Sequence, residues 1–146
     1  MRLLLKGVPV FAGVEEAAID LLLEESKRDL YPAGAVIVRE GENGNCMYLI
    51  ESGTVRIVKN LGREDECEIT RFGGGEFFGE TCILEPYPRS STAQTVTAST
   101  LIGISSFAFH HLYQRMPAQH SILLLNIARD LCRRLRRIDE TFAAKH

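Results

Sequence analysis

Between Tyr31 and Ser105 the chain is punctuated too densely to be built of long helices. Tyr31-Pro32-Ala33-Gly34, Gly41-Glu42-Asn43-Gly44-Asn45, Glu51-Ser52-Gly53 and Gly73-Gly74-Gly75 are all turn formers. Glycine accepts backbone angles that other residues avoid, and proline cannot continue a regular element. The segments between them, Ala35 to Arg39, Met47 to Glu51, Thr54 to Lys59, Cys67 to Phe72, Thr92 to Thr97 and Thr100 to Ser105, each have about the five to six residues of a typical strand. In Thr54 to Lys59, Val55 and Ile57 alternate with Thr54 and Arg56, as in a sheet with one wet face. Several short strands at this spacing predict an all-β roll or barrel.

Helices are expected on both sides of it. Val14, Ala18, Leu21 and Leu22 recur at helical spacing from Val14 to Ser26, with Glu15 and Glu16 in the first turn, where they suit the helix dipole. After Ser106 the pattern is helical again, breaks at Met116-Pro117, and runs from about Ala118 to the end without Gly or Pro. Along this last helix Leu124, Ala128, Leu131, Leu135, Ile138 and Phe142 fall at steps of four and three, while Arg129, Arg133, Arg136, Asp139 and Glu140 take other faces. The seam exceeds what one small roll covers and predicts a homodimer, with packing on the β body alone as the other use of such a face.

At 146 residues, with 45% hydrophobic and 25% charged residues, the chain is expected to be one domain. It divides into a helical lead-in over about 9–30, a roll over about 31–105 and helices over about 106–146. A net charge of −2 gives no global reason to bind nucleic acid or an anionic membrane. The run Leu3-Leu4-Leu5 is cut by Lys6 and is too short for a signal core or a membrane span, so a cytoplasmic location without membrane contact is expected. Cys46, Cys67, Cys82 and Cys132 form no C-x-x-C pair and read as free thiols. The adjacent His110 and His111 point about 100° apart on a helix and do not share a metal. No metal site and no cofactor are expected.

The most informative stretch is Phe72 to Ala98, FGGGEFFGETCILEPYPRSSTAQTVTA. Gly73, Gly74, Gly75 and Gly79 allow backbone amides to approach an oxygen-rich ligand closely. Gly79 to Leu84 fits a short helical turn whose first amides suit a phosphate. Arg89 adds a guanidinium fork for two phosphate oxygens and Ser90 a further donor. Glu80 repels a phosphate, so its use is either to accept from a ribose hydroxyl or to pair with Arg89 and close the loop. These residues alone leave the two uses even.

FGE, then PRSST about nine residues later, then TA in a strand resembles the phosphate cassette of the cyclic-nucleotide-binding domains. VFAGVEEAAIDLL and YPAGAVIVREGENGNCMYLIESGTVRIV are similar to the same family. The likeness runs from about Pro9 into the final helix. It implies a mainly β fold with flanking helices: a jelly-roll-like double-stranded β-roll of eight strands, an N-terminal helix and a long C-terminal helix that serves as lid and dimer contact. It also implies that Glu80 and the Gly79 backbone receive the ribose 2′-hydroxyl, and that Arg89, Ser90 and the Cys82 amide hold the cyclic phosphate with Ser91 close by. Arg134 and Ile138 would then cover the base. Arg89-Ser90 is closer to the catabolite-activator branch than to the Arg-Ala of the kinase regulatory subunits; cyclic AMP is expected ahead of cyclic GMP.

Two positions depart from the family. Thr81-Cys82 replaces the usual Leu-Ala, and the larger thiol is expected to narrow the phosphate pocket. Ile138 replaces a hydroxyl that meets the adenine amino group. Ser90 and Ser91 have no histidine nearby in sequence, so no catalysis is expected. A helix-turn-helix would need residues beyond His146, so no DNA-binding domain is expected in this chain, and the Arg133 to Arg137 run reads as a solvated face. The expected function is a sensory module whose C-terminal helix moves when the cassette closes. The alternatives are an interaction module that dimerises without nucleotide, or the sensory part of a truncated transcription regulator.

Overall fold

The computed structural model of the chain describes residues 7–85 and 87–145. The Leu3 to Leu5 run lies outside them. A 3-10 turn, Pro9–Phe11, leads into α1, Glu16–Glu24. Eight strands follow: β1 Lys27–Tyr31, β2 Val36–Val38, β3 Cys46–Ser52, β4 Val55–Lys59, β5 Cys67–Phe72, β6 Phe77–Phe78, β7 Thr92–Thr95 and β8 Ser99–Ser105. The short α2, Thr81–Leu84, lies between β6 and β7, and α3, Ser106–Arg115, and α4, Pro117–Lys145, close the chain.

The strands form two four-stranded antiparallel sheets, ordered β1-β8-β3-β6 and β2-β7-β4-β5. The expected roll is therefore present, with two strands that periodicity did not reveal. β1 corrects the helical lead-in over about 9–30: Lys27-Arg28-Asp29 is too polar to read as a strand, yet it pairs with β8 along the edge of its sheet and stays largely exposed. β6 is only Phe77-Phe78, paired with Leu49 and Tyr48 of β3, and two residues carry no period.

Alternation along the first sheet builds two cores. Met47, Leu49, Phe77, Ile102 and Ile104 point outward and pack under the helices against Ile19, Leu22, Phe109, Leu112, Leu123 and Ile127. Ile50, Phe78 and Leu101 point inward and meet Val55, Phe72 and Ala93 of the second sheet. Strict period two fails in β4. Val58 is buried while Ile57 is half-buried, and the partner strand β5 carries a bulge at Ile69, since Ile57 pairs with Thr70 and Val58 with Glu68.

The helices start where local chemistry dictates. Ser105 caps α3 by accepting from the Ala108 amide at 3.1 Å, satisfying one of the unpaired N–H groups of the first turn. Pro117 opens α4 at a position where its missing N–H costs nothing. The first half of α4 is tied to the body: Gln119 accepts from the Glu15 amide at 2.7 Å, and Asn126 donates to the carbonyls of Val10 and Ala12 at 2.9 and 2.8 Å. Past Leu131, among the described residues, only Arg134 is even half-buried, so the second half stands over the second sheet and not on the core.

Candidate functional site

The cassette is docked through Arg89. Its amide donates to the Glu42 carbonyl and its own carbonyl accepts from Gly41, both at 2.8 Å, fixing the residue against the β2–β3 loop. The side chain is buried, 7% exposed. Its Nη1 donates to the Gly79 carbonyl at 3.1 Å and its Nη2 to the Cys46 carbonyl at 2.7 Å, while Nε is buried with no hydrogen-bond partner. An unpaired buried donor is costly, and an anion would satisfy it. Two glycines make room for this guanidinium. A Cβ on Gly44 would overlap it outright, and one on Gly79 would crowd Nη1; Gly79 also has φ of 77°, which other residues rarely adopt.

Glu80, likewise buried, makes no pair with Arg89 among the described residues. Its partner is Arg134 of α4, with Nη1 3.7 Å from Glu80 Oε2. Arg134 is itself held on several sides. Its Nε is 2.7 Å from Asp130, its Nη2 donates to the Phe77 carbonyl at 2.6 Å, and the guanidinium lies 4.4 Å from the ring centres of both Phe72 and Phe77, within cation–π range.

These groups line one cavity of about 800 Å³ between the second sheet and the outer half of α4, towards the upper end of the range for small-molecule sites. Gly79, Glu80, Thr81, Arg89, Ser90 and Ser91 form its cassette side, and Arg134 and Ile138 its lid side. The cavity thus brings together every candidate site residue but Cys82. Cys82 is a correction: its side chain is buried behind the cassette with Sγ 3.0 Å from the Gly79 carbonyl and does not narrow the cavity. Burial pushes its thiol above the usual range against the pull of nearby Arg89, and does the same to Cys46. Both are held as neutral thiols at neutral pH.

Sequence reading missed the apolar wall of Val38, Ile57, Ile69, Phe72 and Phe78, and the helix residues Arg137, Thr141 and Lys145. Helical spacing could have found the latter, since 134, 137, 138, 141 and 145 share one face. The expected dimer seam is divided by the same geometry. Leu131, partly buried, packs against the body core, and Ile138 and Phe142 line the cavity. Leu135 is 61% exposed, and Leu124 is only half-buried.

A family model for the cyclic nucleotide-binding domain matches residues 28–116. The chain belongs to this family. It is similar to the cyclic AMP receptor protein of Thermus thermophilus, 34% identical over 135 residues that are 92% of this chain and 61% of that protein. It is also similar to the cAMP-dependent protein kinase regulatory subunit of Schizosaccharomyces pombe, 29% identical over 75% of this chain and 26% of that one. Among solved structures, a cyclic nucleotide-binding domain from Methylobacillus flagellatus shares the fold, with a TM-score of 0.85 at 20% identity, covering 98% of this chain and 80% of that one. The chain spans about three-fifths of its Thermus relative, so the matched part is this family's domain. Among the described residues no helix is long and apolar enough to cross a membrane, and no group of three or more His, Cys, Asp or Glu side chains is placed to hold a metal.

Proposed function

We propose that this domain is a sensor that holds a cyclic nucleotide with its phosphate on Arg89 and Ser90 and its ribose on Glu80. The observation that carries the reading is the buried Arg89, whose guanidinium keeps a donor without a partner and which lines a cavity that also presents Glu80. A phosphate oxygen would complete the guanidinium fork. The Gly79 backbone and the Cys82 amide would add contacts from behind, with Ser91 and Thr81 at the rim. Among cyclic mononucleotides we place cyclic AMP ahead of cyclic GMP, on the name of the Thermus relative.

The role is one of binding, without catalysis and without a metal or other cofactor. Arg134 reaches Glu80 from α4 and Ile138 faces the cavity, so ligand contacts on the cassette and on the helix would be coupled, and occupancy would bias the position of the helix. The first half of α4 is bonded to the 3-10 turn, so we expect that turn to travel with it. A homodimer through the outer face of α4 is part of this reading. The interaction-module alternative rested on Thr81-Cys82 and Ile138; the Glu80 to Arg89 pair it would use to close the loop is not among the contacts of the described residues, where Glu80 meets Arg134 and Arg89 meets two carbonyls.

The test is calorimetric titration of wild type and Arg89→Ala with cyclic AMP and cyclic GMP. We expect wild type to bind and the variant to lose about 2 to 5 kcal/mol, the range for a desolvated charge pair cut on one side. An equal affinity in the variant would remove Arg89 from the site. A folded wild type that binds neither would favour the interaction module.

A further inference from the structure

The cavity holds more positive charge than one cyclic mononucleotide neutralises. Its charged lining is Glu80, Arg89, Arg134, Arg137 and Lys145. Arg134 is flanked by Asp130 at 2.7 Å and Glu80 at 3.7 Å, so the four cations and these two carboxylates leave a net charge of about +2. A mononucleotide carries one negative charge and offsets half of that. Arg137 and Lys145 make no ion pair among the described residues.

Neither cation has a carboxylate within ion-pair distance among the described residues. Asp139 is on another face of α4, and Glu140, three residues beyond Arg137 and so its neighbour on the helix surface, makes no ion pair with it. On the facing strand β5, Glu68 is engaged by Arg71 at 2.9 Å and by Arg56 at 3.7 Å, and Glu66 before it by Arg56 at 3.7 Å. Two uncompensated cations facing one cavity repel each other and attract anions.

The cavity is also longer than the cassette reading needs. Arg134 marks the level of Glu80. At 1.5 Å per residue Ile138 lies about 6 Å beyond it along α4, and Lys145 about 16 Å. Ile138 is thus at the level of a base attached to the ribose, and the space from Thr141 to Lys145 lies past it. Opposite, Ile69 and Thr70 of β5 close the outer half.

We propose that this outer half is a second phosphate subsite, formed by Arg137 and Lys145, and that the cavity takes a doubly charged cyclic dinucleotide in preference to a cyclic mononucleotide. One phosphate sits at Arg89 and Ser90 and the other between the two helix cations, with the bases against Ile138, Phe142 and the apolar wall. The assignment rests on the cassette reading above and extends it from the first phosphate to a second.

Calorimetric titration of the full chain with cyclic di-GMP, cyclic di-AMP and cyclic AMP tests it, in wild type, Arg89→Ala and the double variant Arg137→Gln/Lys145→Gln. We expect at least one dinucleotide to bind wild type more tightly than cyclic AMP, with a steeper loss of affinity on raising salt. The double variant should lower the ratio of dinucleotide to cyclic AMP affinity about tenfold or more, while its circular dichroism stays that of wild type. Wild type that binds cyclic AMP and neither dinucleotide overturns the second subsite and leaves the cassette standing. A dinucleotide bound with a ratio unchanged in the double variant overturns the assignment to Arg137 and Lys145. A wild type that binds none of the three overturns the cassette reading, and this one with it.

Discussion

Arg134 crosses from the long C-terminal helix to Glu80 in the cassette, with Nη1 3.7 Å from Oε2, while the guanidinium rests 4.4 Å from the rings of Phe72 and Phe77 and donates to the Phe77 carbonyl at 2.6 Å. One side chain thus joins α4 to β6, to the end of β5 and to Glu80 at the cassette side of the cavity.

Replacing it should free the outer half of α4. Arg134→Ala removes a charged hydrogen bond and two ring contacts, and we expect a loss of about 2 kcal/mol in urea unfolding. The more specific readout is hydrogen exchange. Amides from 134 to 145 should exchange faster, while those of the first half of the helix, held by Gln119 and Asn126, keep their protection. Uniform acceleration along the whole helix would show that Arg134 is not what restrains the outer half.

Gly44 offers a test of the cassette that leaves Arg89 itself in place. A methyl group there overlaps the guanidinium, so Gly44→Ala should tilt the fork away from its two carbonyls. We expect nucleotide affinity to fall about tenfold, because charge-assisted bonds weaken steeply with misalignment. The melting temperature should move by only a few degrees. Wild-type affinity in the variant would show that the fork does not need this position.

The division of the apolar seam predicts different fates for two leucines. Leu135 is mostly exposed, and Leu131 packs on the body. Leu135→Asp should give a folded monomer by sedimentation if the outer face pairs with a second copy. Leu131→Asp should destabilise the fold by about 2 kcal/mol whatever the oligomeric state. A wild-type protein that sediments as a monomer removes the dimer.

His120 sets a pH dependence. It lies near the start of α4, with its ring edge-on to Tyr113 at 5.3 Å. Burial, and after it the charge of His110, hold its pKa below the ordinary 6.5. Between the two values the unfolded chain binds more protons than the folded one, so this contribution to stability is present above about pH 6.5 and is lost as pH falls through the folded value. Wild type should therefore lose melting temperature on acidification faster than His120→Gln over about pH 5 to 7. Parallel curves would count against it.

Most of the architecture was legible because glycine-rich turns and period-two segments mark strands directly, and β5 was read to the residue. Lys27–Tyr31 was hidden by its polarity as an edge strand, and Phe77–Phe78 by its length. In the site, glycines and FGE with PRSST marked the cassette. What sequence left even was whether Glu80 accepts from a ribose or pairs with Arg89; the contact with Arg134, 45 residues beyond Arg89, was not foreseen, because no local spacing encodes which residues the fold brings close. Cys82 was misjudged because sequence gives a side chain's size and not the side on which it lies.

Asn126 bonds to two carbonyls more than a hundred residues earlier in the chain, those of Val10 and Ala12. The beginning and the end of the domain are therefore not independent attachment points. A tether joined ahead of Pro9 and another joined after Lys145 would act as two levers on one fulcrum. A pull from beyond Lys145 would reach β5 and β6 through Arg134 and the 3-10 turn through Asn126.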